Sequence, residues 1–281
     1  MWIAVDVPSL REQRRKWQGP VALVPTMGAL HQGHLSLIEK ARQITPHVVV
    51  SIFVNPTQFG PTEDFNRYPR PIERDLELCR QAGAAGVFNP TVDAVYPSGV
   101  SACEISVPEV AADLEGAMRP GHFAGVCRVV AKLFNMVQPT HACFGQKDLQ
   151  QLRVIEAMVA DLNFPLEIVP CETLRDPDGL AMSSRNVYLT PEGRKHGLGI
   201  SKALKEGRRL ILEQGESDPQ AVESAMAQIL KAHHLQIDYA VVRHARTLAP
   251  IDCIEPQQPG RVAMLIAARV EKVRLIDNML V

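Results

Sequence analysis

The run Pro25-Thr26-Met27-Gly28-Ala29-Leu30-His31-Gln32-Gly33-His34 joins a glycine turn to a pair of imidazoles spaced i, i+3. On a helical turn that spacing puts both rings on one face. An imidazole so placed can donate to a phosphate oxygen whose charge grows in a transition state. Gly28 and Gly33 permit close backbone approach. A helix N-terminus adds unpaired N–H groups and partial positive charge. Chemistry at the α-phosphorus of a nucleotide is one use of such a run. A plain helix start with two solvated histidines is the other. The chain has neither a P-loop nor a G-x-G-x-x-G fingerprint, and no third ligand lies nearby to make the histidines a zinc site.

Three further stretches carry polar groups where a strand pattern gives way to a helix or turn. In Val54-Asn55-Pro56-Thr57-Gln58-Phe59-Gly60, Asn55 and Gln58 stand at a strand's carboxyl edge; Asn-Pro is equally a simple turn. In Phe144-Gly145-Gln146-Lys147-Asp148-Leu149-Gln150-Gln151, Lys147 is a mobile point charge suited to phosphates. Asp148 there can cap the helix or accept from a ribose hydroxyl, and Gln151 lies one turn on. A capped helix with a surface lysine is the plainer reading. In Arg175–Asn186, Met182-Ser183-Ser184-Arg185 sets two hydroxyls and a guanidinium in one short loop, as an anion clamp would. Arg119-Pro120-Gly121-His122 offers another cation. No Ser-His-Asp order, reactive-cysteine setting or acidic pair stands out, so the chemistry implied is positioning plus charge stabilisation.

The elements that must position these groups alternate. Strand patterns at Val21–Pro25, Val48–Val54, Ala85–Phe88, Ala142–Phe144 and Leu166–Val169 are interleaved with helical patterns at Leu35–Ile44, Ile72–Ala82, Phe123–Val137 and Leu149–Leu162. Alternation with short connections predicts an α/β, doubly wound parallel sheet. Ligands of such sheets bind outside the carboxyl ends of the strands. After Thr190-Pro191 the order becomes two helices, near Gly193–Glu213 and Pro219–His234, and then strands at Ile237–Val242, Val262–Val270 and Val273–Ile276. That pattern predicts a smaller C-terminal α+β domain, with residues 1–185 as the catalytic domain and 186–281 as the second.

A chain of 281 residues, 46% hydrophobic and with net charge -1, is long enough for about two domains and shows no bulk attraction for nucleic acid or anionic membranes. The six cysteines form no C-x-x-C pair and fall mostly in apolar runs, as buried thiols in a reducing cytosol do. No secretory signal or membrane-length apolar run is expected.

Taken in order, PTMGALHQGH, VNPTQF, RPGHFAGV…KLFN…FGQKDLQQ and DGLAMSSRN resemble the pantothenate synthetase (pantoate–β-alanine ligase) family across most of residues 20 to 190, and more weakly to Arg274–Asn278. The resemblance implies a Rossmann-like nucleotide-binding domain of the HIGH-motif nucleotidylyltransferase type, a C-terminal lid and a cytoplasmic homodimer. It implies condensation of pantoate with β-alanine through a pantoyl adenylate, using ATP and Mg2+ and releasing AMP and pyrophosphate. Carried over by motif, the ATP site comprises Met27, Gly28, Ala29, Leu30, His31, Gln32, Gly33, His34, Gly145, Gln146, Lys147, Asp148, Leu174 (through its backbone), Met182, Ser183, Ser184 and Arg185. His34, Lys147 and Arg185 are the candidate catalytic groups. Gln58 and Gln151 would bind pantoate, and Gln58 would also meet β-alanine. Arg128 and Gln146 depart from the family's usual small hydroxyl residue and glutamate. The metal ligands do not map, Asp75 being the one carboxylate suggested. Two rivals stay open: a nucleotidyltransferase that leaves the nucleotidyl group on its product, and a nucleotide-binding module without catalysis. A tRNA-synthetase fragment lacks the basic surface it would need.

Overall fold

The computed structural model describes residues 1–61, 63–99, 103–255, 257–258 and 260–281. By its contacts the chain forms two units, residues 1–146 with 151–172, and residues 147–150 with 173–281.

The first unit is built on six strands, β1 (Trp2–Ala4), β2 (Ala22–Thr26), β3 (Val48–Ile52), β4 (Gly86–Phe88), β5 (His141–Gly145) and β6 (Glu167–Cys171). They lie in the order β1-β4-β3-β2-β5-β6, and every pair is parallel. β3 is buried along its whole length, which a strand covered on both faces requires, and its continuous Val-Val-Val-Ser-Ile run suits that place. Each fully buried valine there contributes about 1.5–3 kcal/mol. The chain runs outward from β2 to β3 and β4 on one side and to β5 and β6 on the other. The carboxyl end of β2 is therefore the topological switch point, where open α/β sheets hold their ligands.

The helices of this unit are α1 (Val7–Arg15), α2 (Gln32–Ile44), α3 (Ile72–Gln81), the single turns α4 (Val92–Val95), α5 (Pro108–Ala111) and α6 (Glu115–Met118), then α7 (His122–Val137) and α8 (Leu149–Asp161), whose first two residues group with the second unit. Leu37, Ile38 and Ala41 of α2 pack with Ala22, Val24, Val48 and Val50. α2 starts at Gln32, three residues before the apolar period shows itself, because His31 caps it.

In the second unit α9 (Pro191–Gln214) and α10 (Pro219–Ala232) pack on an antiparallel sheet of β7 (Gln236–His244), β8 (Val262–Val270) and β9 (Val273–Leu280), in the order β7-β8-β9. Thr190 caps α9 through the Gly193 N–H, with Pro191 at the first helical position, and Asp218 caps α10 ahead of Pro219. Ile200, Leu204 and Ile211 meet Val222, Met226, Leu230, Met264 and Ile266 in one core. The change of sequence character at Thr190-Pro191 marks the start of α9. The chain has already parted from the parallel sheet after β6, so residues 173–185 group with the second unit.

Cys79, Cys127, Cys143 and Cys171 are buried thiols, whereas Cys103 and Cys253 are exposed. Among the described residues no helix is long and apolar enough to cross a membrane.

Candidate active site

The loop after β2 turns on Gly28 (φ 84°) and Ala29 (φ 51°), both in the left-handed region. Glycine suits the first of these positions by conformation, and by space as well: a Cβ on Gly28 would stand 2.9 Å from Asp75 Oδ2. Asp75, buried at the start of α3, accepts from the N–H groups of Ala29 (Oδ2, 2.8 Å) and Leu30 (Oδ1, 2.8 Å). Burial pushes its carboxyl up, against the pull of those Leu30 and Ala29 bonds.

This corrects one sequence expectation. Most N–H groups of the loop are engaged within the protein and form no open cradle for phosphate. Gly28 donates to Thr26 Oγ1, Ala29 and Leu30 to Asp75, His31 to His34 Nδ1, Gly33 to His31 Nδ1 and His34 to the His31 carbonyl. Asp75, the one carboxylate suggested as a metal ligand, receives an N–H bond from this loop on each of its oxygens. Among the described residues no group of three or more His, Cys, Asp or Glu could hold a metal ion.

What the loop does supply is a pair of oriented imidazoles. The rings of His31 and His34 lie 4.1 Å apart, centroid to centroid. Gly33 N–H donates to His31 Nδ1 (3.1 Å), and His31 N–H to His34 Nδ1 (3.4 Å). A ring nitrogen that accepts carries no proton, so in both rings the hydrogen sits on Nε2. The helix cap thus sets the tautomer of each histidine and makes Nε2 its donor.

Gln58 closes a 3₁₀ turn (Pro56–Gln58) beyond the end of β3 and is buried. Its amide orientation follows from a chain of bonds that leaves no choice. Asn55 Oδ1 receives Thr57 N–H (3.3 Å), Thr57 Oγ1 (3.0 Å) and Tyr96 OH (2.8 Å), while Asn55 Nδ2 donates to the Gly125 carbonyl (3.1 Å) and to Gln58 Oε1 (3.0 Å). Gln58 Nε2 then faces Met27 Sδ at 3.3 Å and is the group able to donate to a ligand oxygen. α7 lies tight against this turn, for a Cβ on Gly125 would fall 2.2 Å from the Thr57 carbonyl oxygen.

His122 braces the same turn from α7. Its Nδ1–H donates to the Gln58 carbonyl (2.8 Å), and its Nε2 accepts from Arg119 Nη1 (2.9 Å). Arg119 in turn pairs with Glu63 through two bonds of 2.7 Å. Burial and the Arg119 charge pull His122 down from 6.5 to about 4. Below pH 6.5 the unfolded chain takes up a proton that the folded chain refuses, so this group's share of stability falls as pH drops from about 6.5 to about 4. The loss is on the order of 3 kcal/mol. Urea unfolding across that range checks it: His122→Gln should lack this component of the pH slope, and parallel slopes in the two proteins would refute it. The departure at Arg128 leaves its Nε buried without a hydrogen-bond partner, while Lys132, one turn on, lies 5.2 Å from the Tyr96 ring centroid.

The second unit holds the other candidate groups. Lys147 sits in a 3₁₀ turn (Gln146–Asp148), its Nζ 4.0 Å from Asp148 Oδ1. Leu174 and Met182 close a small hairpin, with Met182 N–H donating to the Leu174 carbonyl (3.0 Å) and Arg175 bridged to Ala181. Ser183 caps the 3₁₀ turn Ser184–Tyr188 by accepting from Arg185 N–H (3.3 Å), which presents Ser184 and Arg185 at its start. Met27–His34, Gln58, Gly145, Gln146 and Gln151 belong to the first unit; Lys147, Asp148, Leu174 and Met182–Arg185 belong to the second. Asp75, Tyr96 and Glu63 support the site without having been singled out for that role by spacing, since each acts on a loop distant in the chain. The Arg119–His122 run was the visible hint of the third.

A family model described as Pantoate-beta-alanine ligase matches residues 3–280. The chain belongs to this family. It is 51% identical over 261 residues to the pantothenate synthetase of Fervidobacterium nodosum, covering 93% of this chain and 91% of that one. The crystal structure of pantothenate synthetase from Thermus thermophilus superposes with a TM-score of 0.92 at 45% identity, covering 99% of each chain. That of pantoate-beta-alanine ligase from Francisella tularensis, complexed with beta-gamma ATP and beta-alanine, gives 0.82 at 32% identity, covering 100% of this chain and 97% of that one. The chain is thus a pantoate–β-alanine ligase, an ATP-dependent enzyme of pantothenate biosynthesis, on the Rossmann-like fold of its relatives.

Proposed function

We propose that this pantoate–β-alanine ligase works by adenylation at the carboxyl ends of β2 and β3. Pantoate's carboxylate attacks the α-phosphorus of ATP and pyrophosphate leaves; the amine of β-alanine then attacks the acyl carbon of the pantoyl adenylate and AMP leaves. The observation that carries the reading is the switch-point loop itself, which holds two Nε2–H imidazoles beside a turn that fixes the Gln58 amide.

In this reading His34, Lys147 and Arg185 stabilise charge that builds on the phosphates. Met27–His34, Gly145–Asp148, Leu174 and Met182–Ser184 hold the nucleotide. Gln58 and Gln151 bind pantoate, with Gln58 also meeting β-alanine. Neutral amides suit the nucleophile, because a bidentate arginine would hold the carboxylate equally in ground and transition states and gain no rate. The loop's main donors in this scheme are the two imidazoles, the N–H groups of Gly28, Ala29 and Leu30 being engaged within the protein. Magnesium, when bound, would be held chiefly by the phosphates of the nucleotide and would supply neutralisation of their charge. In this scheme the C-terminal domain acts as a lid, and the enzyme works as a homodimer in the cytoplasm.

Omitting substrates in turn tests the scheme. With ATP and magnesium, exchange of labelled pyrophosphate into ATP should require pantoate and not β-alanine, while steady AMP release should require both. A stable nucleotidyl product formed without amine would point to a transferase. Nucleotide binding with no pyrophosphate exchange would point to a binding module.

A further inference from the structure

Near the end of β9 stands a buried polar pair, Asp277-Asn278, that the chemistry above does not use. A buried carboxylate and a buried amide on one strand are costly unless both are fully paired. Here both are paired to the two segments that carry the candidate cations. Asp277 takes Arg175 in a bidentate grip, with Nη1 to Oδ2 at 2.6 Å and Nη2 to Oδ1 at 3.0 Å. Arg175 also donates to the Gly179 carbonyl (3.3 Å), across the hairpin that leads into Met182–Arg185. Asn278 Nδ2 donates to the Lys147 carbonyl at 2.8 Å, and Asn278 N–H donates to Asp277 Oδ1 at 2.8 Å, which ties the two halves together. Lys147–Gln150 group with residues 173–281 rather than with the strand before them.

We propose that Asp277 and Asn278 are positioning residues for adenylation. Asn278 sets the main chain under Lys147, and Asp277 sets the hairpin that delivers Arg185. Ammonium and guanidinium are thereby fixed relative to one another and meet the triphosphate as one body. The inference rests on the phosphate-binding roles proposed for Lys147 and Arg185. Its physical basis is leverage: a shift of the Lys147 carbonyl is carried to the base of its side chain, and a misplacement of about 1 Å in an active site can cost about a hundredfold in rate.

A double-mutant cycle in the pyrophosphate-exchange assay decides it. Asn278→Ala should lower kcat/KM for ATP at least about tenfold. Asn278→Asp, which keeps the shape but turns the donor into an acceptor facing the Lys147 carbonyl, should do the same and serves if the alanine variant folds poorly. In a Lys147→Ala background the further change at Asn278 should cost less than about twofold, because what it positions is gone. Full activity of both Asn278 variants beside a crippled Lys147→Ala overturns the positioning role alone. Losses that multiply in the double variant overturn it too, since they mark general destabilisation. Full exchange in Lys147→Ala would instead overturn the reading of Lys147, and this inference with it.

Discussion

Replacing His34 by alanine is expected to slow pantoate-dependent pyrophosphate exchange about a hundredfold or more, the size typical of removing one transition-state donor. Both rings carry their hydrogen on Nε2, His34 because its Nδ1 is taken by the His31 N–H. His34 is the sharper choice because it sits inside α2, where the helix holds it, while His31 is the cap residue itself. The substitution removes the cap's return bond as well, so nucleotide binding should be measured alongside. Binding close to the parent's with exchange lost places the effect in the chemical step. Exchange near the parent's rate would end the role given to His34.

The second large effect is expected at a residue that need not touch substrate. Asp75→Ala leaves the N–H groups of Ala29 and Leu30 without their acceptor. Each was a charge-assisted bond, and the loss to stability should be about 3 kcal/mol. The left-handed turn at Gly28 and Ala29 loses the anchor that offsets its strain. Exchange by the folded protein should fall more than about tenfold as His31 and His34 lose their setting. Denaturant unfolding and exchange, measured on the same preparation, give both numbers. A variant as stable and as fast as the parent would show that the loop holds itself.

Much of the framework is written in local periodicity. The Val-rich run of β3 and the helical spacing of Phe123, Val126, Val130 and Val137 in α7 announce their elements because burial on one or both faces requires those patterns. The start of α2 is less legible, since Gln32, Gly33 and His34 are polar and the cap that fixes them is an unusual one, histidine. The polar candidates of the site stand at strand ends, where the α/β alternation puts ligands. Their supports do not show, because they depend on contacts between distant parts of the chain. Asp75 fills the loop from 45 and 46 residues away. Tyr96 reaches Asn55 over 41 residues, and Arg175 reaches Asp277 over 102. A reading of the loop by itself therefore finds donors for phosphate in N–H groups that the folded chain has already employed.

The grouping of Lys147–Gln150 with the C-terminal residues bears on how such enzymes can be recombined. A chimaera joined after β6 would take its parallel sheet and its lysine from one parent and the strand that seats that lysine from another. The Asn278–Lys147 bond uses a main-chain carbonyl, so it survives such an exchange whatever the lysine's neighbours are. The Arg175–Asp277 pair lies wholly on the C-terminal side of that junction and travels intact. Crossovers placed after Thr190 would instead part Arg175 from Asp277, and only parents sharing both residues would yield working hybrids.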